Sequence, residues 1–252
     1  MDKRPSMLPD IIESKVIFVA GEPGTGKSTF GAQSDWPENI AFCDADFSKS
    51  KTLHNEYQFG NYLDLLTQSN PENLVNRFEV FMRWIDEIKS GDYAVVVLDN
   101  ISNIEDAARE WVKTQATQLE KRLVNANAKN IQRGTMGNDV SAASKVFDEL
   151  FSMLHKHGVR LIIVLAHVSD AWSGSVKIPN KRRVKGFSHW TELSSASLIF
   201  TWGRDTDTPG LPAAIVMKDG LGETRVTATV EDIEAIRRGE ITGHQSTRRL
   251  PE

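Results

Sequence analysis

Residues 16–29 read Val-Ile-Phe-Val-Ala-Gly-Glu-Pro-Gly-Thr-Gly-Lys-Ser-Thr, and no other stretch narrows the fold as far. An unbroken apolar run ending at Gly21 predicts a strand covered on both faces. Glycines then turn the chain, and a helix is expected to open at the lysine. The residues Gly21, Glu22, Pro23, Gly24, Thr25, Gly26, Lys27, Ser28 and Thr29 fit Gly-x-x-x-x-Gly-Lys-Ser/Thr in the strand–loop–helix setting that gives this pattern its chemistry. The glycines let the main chain curl until its N–H groups face phosphates, and the helix adds its positive end. Lys27 is expected to reach the β- and γ-phosphates, Ser28 to ligate Mg2+ and Thr29 to hold the α-phosphate. ATP and Mg2+ are therefore the expected cofactors.

The rest of the chain repeats the alternation. Apolar runs at residues 40–43, 93–98 and 161–166 predict further buried strands, and 197–202, 213–217 and 224–229 predict a closely spaced group after them. The expected fold is α/β, a mostly parallel central sheet flanked by helices with an antiparallel extension at its C-terminal edge. Asn70-Pro71 is expected to open a helix whose stripe of Leu74, Phe78, Phe81, Met82, Ile85 and Ile88 faces the sheet. Ser102 and Glu105 form a capping box for a second helix. A third, over residues 141–157, should stop at Gly158. One domain is expected over residues 1–242, followed by a flexible polar tail over 243–252.

A phosphate loop needs an acidic residue on a neighbouring strand to hold the Mg2+ shell. Asp99, which ends the run Tyr-Ala-Val-Val-Val-Leu-Asp, supplies it, so Ser28 and Asp99 are the candidate metal ligands. After the second strand come Asp44 and Asp46, either of which could activate an attacking water. His167 ends the strand at 161–166, where a polar side chain can sense the γ-phosphate and report it to the loop that follows. Cys43 is the sole cysteine, which excludes an intramolecular disulfide and a cysteine metal cluster. The longest apolar runs are about seven residues against the ~20 needed to cross a bilayer, and no signal-peptide core is present. No membrane partner and a cytoplasmic location, in a cell or a host cell, are expected.

One local feature runs against the chain's net charge of −4: Lys177, Lys181, Arg182, Arg183 and Lys185 fall within nine residues. Such a run is either a solvated turn or a clamp on a polyanion. The order of motifs resembles the RecA-like recombinase ATPases, most closely the compact phage-encoded members associated with single-strand annealing recombination. The resemblance covers residues 16–228. Its most specific element is the phosphate loop. Residues 41–46, Ala-Phe-Cys-Asp-Ala-Asp, look like the family segment Ala-Phe-Ile-Asp-Ala-Glu, which makes Asp46 the candidate base, with Asp in place of the longer Glu. The resemblance implies a switch role for His167. It also implies that Lys218, in Val-Met-Lys-Asp-Gly, enters the neighbouring subunit's ATP, although Gly220 stands where many relatives have an Arg.

The family places single-stranded DNA against the loop after the switch strand. Residues 168–190 are expected to form that loop. Its five cations would meet phosphates, and Trp172, Phe187 and Trp190 would stack on bases. Arg133, in the polar stretch 125–139, belongs to a smaller first loop. The catalytic set implied is Lys27, Asp46, Asp99, His167 and Lys218, acting in a DNA-stimulated ATP hydrolase that drives recombination or annealing. The partners implied are single-stranded DNA, further copies of the chain in a ring or filament, and a separate single-strand-binding or annealing protein. Two other classes remain open on the residues alone: a small-molecule or nucleotide kinase, and a loader or partition ATPase switch.

Overall fold

The apolar runs become a sheet whose strands alternate with helices. In chain order the computed structural model has β1 (Lys15–Gly21), α1 (Lys27–Ala32), β2 (Ile40–Asp44), α2 (Ser50–Tyr57), β3 (Asn61–Asp64), α3 (Leu65–Gln68), α4 (Leu74–Ser90) and β4 (Val95–Asp99). There follow α5 (Ile101–Asn125), α6 (Asn138–Lys156), β5 (Leu161–Ser173), β6 (Val176–Val184), β7 (Ala196–Trp202), β8 (Pro212–Lys218) and β9 (Glu223–Thr227). The structure describes residues 15–46, 50–90, 92–125, 138–173, 176–184, 194–202, 212–218 and 223–227. Arg133, Lys185, Phe187, Trp190, Gly220 and the expected tail lie outside them.

Among the described residues the sheet order is β3-β2-β4-β5-β1-β7-β8-β9, with β6 paired to β5 off this path. The pairings from β3 through to β7 are all parallel, and β8 and β9 add antiparallel at the edge. The expected fold class is what is found. Strand side chains alternate between two layers. Phe18, Ala20, Val96, Leu98, Ile162 and Val164 face the layer that α4, α5 and α6 cover, while Ile17, Val19, Val97, Ile163 and Leu165 pack with Phe30 of α1. Because both faces are covered, the strands carry no polar alternation. Helix α1 lies so close to the sheet that a Cβ on Gly31 would sit 2.7 Å from Val97 Cγ1.

The α4 stripe lies inward as expected: Phe78, Phe81, Ile85 and Ile88 are buried, with Leu74 and Met82 packed against them. Helix α6 also ends as expected, with Gly158 at φ 95° and the Val159 N–H reaching back to the Leu154 carbonyl at 3.1 Å. Two helix starts differ. The Asn70 side chain closes a turn onto the Glu72 N–H at 3.1 Å, and Asn73 caps α4 through the Asn76 N–H at 3.0 Å. At α5 the cap is Asn100, whose Oδ1 accepts from the Ser102 N–H at 3.0 Å, so Ser102 is inside the helix rather than at its cap. In both cases a nearby Asn carboxamide supplies the acceptor that the first turn needs.

The larger correction concerns residues 168–190, expected as a loop. Strand β5 does not stop at Ala166 but runs for 13 residues to Ser173. It keeps its parallel neighbours up to His167, which pairs with Gly21, and from Val168 onward pairs antiparallel with β6. Val168 faces Val184, Ser169 faces Arg183, Asp170 faces Arg182 and Trp172 faces Lys177. A register shift between Asp170 and Trp172 leaves residues 178–181 opposite a single position. The basic segment is therefore one strand of a hairpin whose ladder extends roughly 20 Å at strand rise. Main-chain hydrogen bonds hold such a ladder, so it forms without the apolar run by which a buried strand is recognised.

Candidate functional site

The site sits where the parallel strands end. Gly21 closes β1, and a Cβ there would meet the Phe200 carbonyl oxygen of β7 at 2.5 Å. The next turn is held by one acceptor. The Glu22 carbonyl takes the Thr25 hydroxyl at 2.8 Å and the Lys27 ammonium at 2.7 Å. Gly24 and Gly26 lie in the left-handed region at φ 80° and 91°, which only glycine adopts cheaply. Pro23, Gly24, Gly26 and Thr29 are exposed, whereas Thr25 and Lys27 are buried.

Lys27 thus keeps a cation under cover of the loop. Burial lowers its pKa, and the charges of Asp99, Asp46 and Glu22 oppose that shift. Asp99, at the end of β4, is 3 % exposed, and its Oδ2 accepts from the Ser28 hydroxyl at 2.5 Å. Burial pushes the Asp99 carboxyl up to about 6, against the Ser28 hydrogen bond, and the neighbouring charges of Asp44 and Asp46 push the same way. A hydroxyl and a carboxylate held this close, with excess negative charge around them, suit a hard divalent cation bound through oxygen. The buried ammonium resting on a main-chain carbonyl suits a phosphate that would replace it.

Strand β2 delivers the two carboxylates that the sequence left as alternatives, and they are not equivalent. Asp44 is buried and fully engaged: Oδ1 accepts from the Asp46 N–H at 3.0 Å and Oδ2 from the Tyr62 hydroxyl at 3.1 Å. Burial, together with the Asp44 charge, drives the Tyr62 phenol well above its ordinary pKa. The Asp46 side chain is 22 % exposed, and its Oδ2 lies 2.7 Å from His167 Nε2. An ionised carboxylate can only accept, so the His167 Nε2–H donates. His167 Nδ1, buried, has no hydrogen-bond partner among the described residues.

Five residues from four strand ends therefore converge: Lys27 and Ser28 after β1, Asp46 after β2, Asp99 on β4 and His167 on β5. Lys218 does not join them within one chain. It pairs with Ser197, which pairs with Phe18, so it lies two strands across and three residues below Gly21. Lys177, Lys181, Arg182 and Arg183 lie on β6. Tyr62 and Asn103, which hold the segment after β2, had no motif to announce them.

Residues 13–178 match a family model described as an AAA domain. The chain belongs to that family. The AAA domain match spans the phosphate loop, Asp99 and the whole of β5, and it makes the chain a P-loop NTPase. None of the curated proteins matches. Among solved structures this AAA-domain chain is similar to that of the RadB recombinase, with 15% identity over 86% of either chain and a TM-score of 0.44. It is also similar to the flagellar accessory protein FlaH of Methanocaldococcus jannaschii, with 11% identity over 85% of this chain and 84% of that one, at a TM-score of 0.42. The family and the sheet order together give the RecA-like P-loop core expected from the sequence. Among the described residues no helix is long and apolar enough to cross a membrane.

Proposed function

We propose that the protein is a Mg2+-dependent ATPase that binds single-stranded DNA along the β5–β6 hairpin and couples hydrolysis to annealing or recombination. The observation that carries this reading is the continuity of β5. The same strand that brings His167 onto Asp46 at 2.7 Å runs on without a break into the ladder that bears the basic segment. A change at the γ-phosphate that moves Asp46 or His167 acts directly on the root of the hairpin, and DNA on the hairpin acts back on the same pair.

In hydrolysis the loop amides and Lys27 bind the β- and γ-phosphates, and Ser28 and Asp99 would hold Mg2+, which when bound would neutralise charge on the phosphate oxygens. Asp46 takes a proton from the attacking water as the water oxygen bonds to the γ-phosphorus. The bond from that phosphorus to the β–γ bridging oxygen breaks, and ADP and phosphate leave. His167 holds one Asp46 oxygen and so fixes the direction of the other. A nucleotide kinase would carry its arginines around a helical lid; here Arg182 and Arg183 lie on a strand, which favours the polynucleotide reading.

Lys218, remote from its own site, fits a role in a neighbouring copy's nucleotide site within a ring or filament. The resemblance to phage annealing ATPases supports the same assembly and a cytoplasmic setting. The deciding experiment is ATP turnover with and without a single-stranded oligonucleotide. Several-fold stimulation is expected. Turnover indifferent to the oligonucleotide but stimulated by a nucleoside phosphate would establish the kinase instead.

A further inference from the structure

Between the end of β2 and Asp46 stands one residue, Ala45, and the structure ties it on both sides. Its N–H donates to the Asp99 carbonyl of β4. Its carbonyl accepts from Asn103 Nδ2, in the first turn of α5, at 2.6 Å. Asp44 before it is held by the Tyr62 hydroxyl of β3 at 3.1 Å and in turn holds the Asp46 N–H at 3.0 Å. The Tyr62 ring is itself oriented by His54 of α2, stacked at 4.1 Å with the planes 4° apart. Ala45 is wholly buried, so solvent offers its carbonyl no substitute for Asn103.

We propose that Tyr62 and Asn103 are positioning residues for Asp46, the first acting through Asp44 and the second through Ala45. The inference rests on the reading of Asp46 as the base. A short strand end followed by a single residue would otherwise leave the Asp46 main chain free to swing, and a displacement of about 1 Å at a reacting group costs up to a hundredfold in rate. Among the described residues, neither hydrogen-bonds to the phosphate loop, Lys27, Ser28 or Asp99. The two come from different elements, β3 and α5, and restrain the same short segment from opposite ends. Their work is therefore visible in turnover and not in nucleotide affinity.

The experiment compares Tyr62→Phe, which keeps the stacked ring, and Asn103→Ala, which keeps the helix, with Asp46→Ala. Turnover of Mg·ATP, calorimetric affinity for a non-hydrolysable ATP analogue and melting temperature are measured for each. Asp46→Ala should lower kcat by at least about a hundredfold with affinity kept. If it leaves kcat within about twofold, the base reading itself is wrong. With that reading upheld, Tyr62→Phe and Asn103→Ala should each lower kcat by about tenfold and leave affinity near that of the parent, with melting temperature lowered by only a few degrees for the buried acceptor each leaves unpaired. The double variant should fall further than either. Should kcat stay near the parent in both, or should affinity fall in step with it, the positioning role is overturned and the contacts are merely structural.

Discussion

The nucleotide end and the basic hairpin are made in opposite ways. At the nucleotide end the functional residues lie at or just beyond the parallel part of strands sealed between two helical layers, so their position is fixed by the packing of residues such as Val97, Leu98, Ile163 and Leu165, all fully buried. The hairpin begins at Val168, where β5 takes up antiparallel pairing, and among the described residues β6 is its strand partner from there on. One region is rigid because its surroundings leave no alternative; the other is held by a ladder whose register already shifts once between Asp170 and Trp172. In the proposed function, chemistry that needs sub-ångström placement falls to the first, and recognition of a long, sequence-tolerant polyanion to the second. His167 is their shared residue.

The largest effect should come from the sealed end. Lys27→Ala should reduce turnover by at least about a hundredfold, since a preorganised charge facing the transferring phosphoryl group is removed. Unchanged turnover would break the comparison at its root by denying that the sealed end is catalytic. Next in size is the hairpin. Replacing Lys181, Arg182 and Arg183 together by Ala should weaken binding of a single-stranded oligonucleotide and flatten the dependence of log K on log salt by about 2, the sum of three phosphate contacts. Basal turnover should be untouched. A variant with the parent's salt slope would leave the hairpin with no role in DNA binding.

The two regions also differ in how far sequence reveals them. The strands before the phosphate loop and ending in Asp99 are legible because burial on both faces writes itself into local composition, and α4 is legible through its single apolar stripe. Strand β3 is not: Asn-Tyr-Leu-Asp buries only Leu63. The hairpin is not, because its segment Val-Lys-Ile-Pro-Asn-Lys-Arg-Arg-Val is strand by virtue of a partner, and a run holding Pro and four cations reads as a loop. Long-range pairing is equally hidden. Asp46 and His167 are 121 positions apart, and each was legible as a candidate alone while their contact was not. The contact that sets Asp44 apart from Asp46 is with Tyr62, which no spacing rule connects to either.

The joint between the regions supplies a smaller and more discriminating effect. His167→Ala should leave nucleotide binding intact and reduce basal turnover modestly, while stimulation by single-stranded DNA is lost. The variant should still bind the oligonucleotide as the parent does, because the cations on β6 remain. Turnover measured with and without oligonucleotide, beside a binding isotherm, separates these terms. If stimulation survives, the hairpin and the site are coupled by some route other than the Asp46–His167 contact, and the two regions are more independent than the continuity of β5 implies.

The smallest effect tests what the sealed end costs in stability. Asp99 is held above the ordinary carboxylate range, at about 6 against an ordinary 3.8. The folded protein without nucleotide or metal therefore holds that proton more tightly than the unfolded chain. The stabilisation this provides is complete below about pH 4 and is lost as pH rises through about 6, so the ionised carboxylate destabilises the fold at pH 8. Asp99→Asn keeps an oxygen for the Ser28 hydroxyl and removes the charge. At pH 8 and without Mg2+ it should raise stability by about 2 kcal/mol, or roughly 4–8 °C in melting temperature, with the gain shrinking as pH falls toward 4. Added Mg2+ should stabilise the parent and not the variant, because only the parent retains the carboxylate. No gain at pH 8 would mean that the Asp99 charge is already compensated by Lys27, and that the sealed end holds this carboxylate without the stability penalty which burial implies.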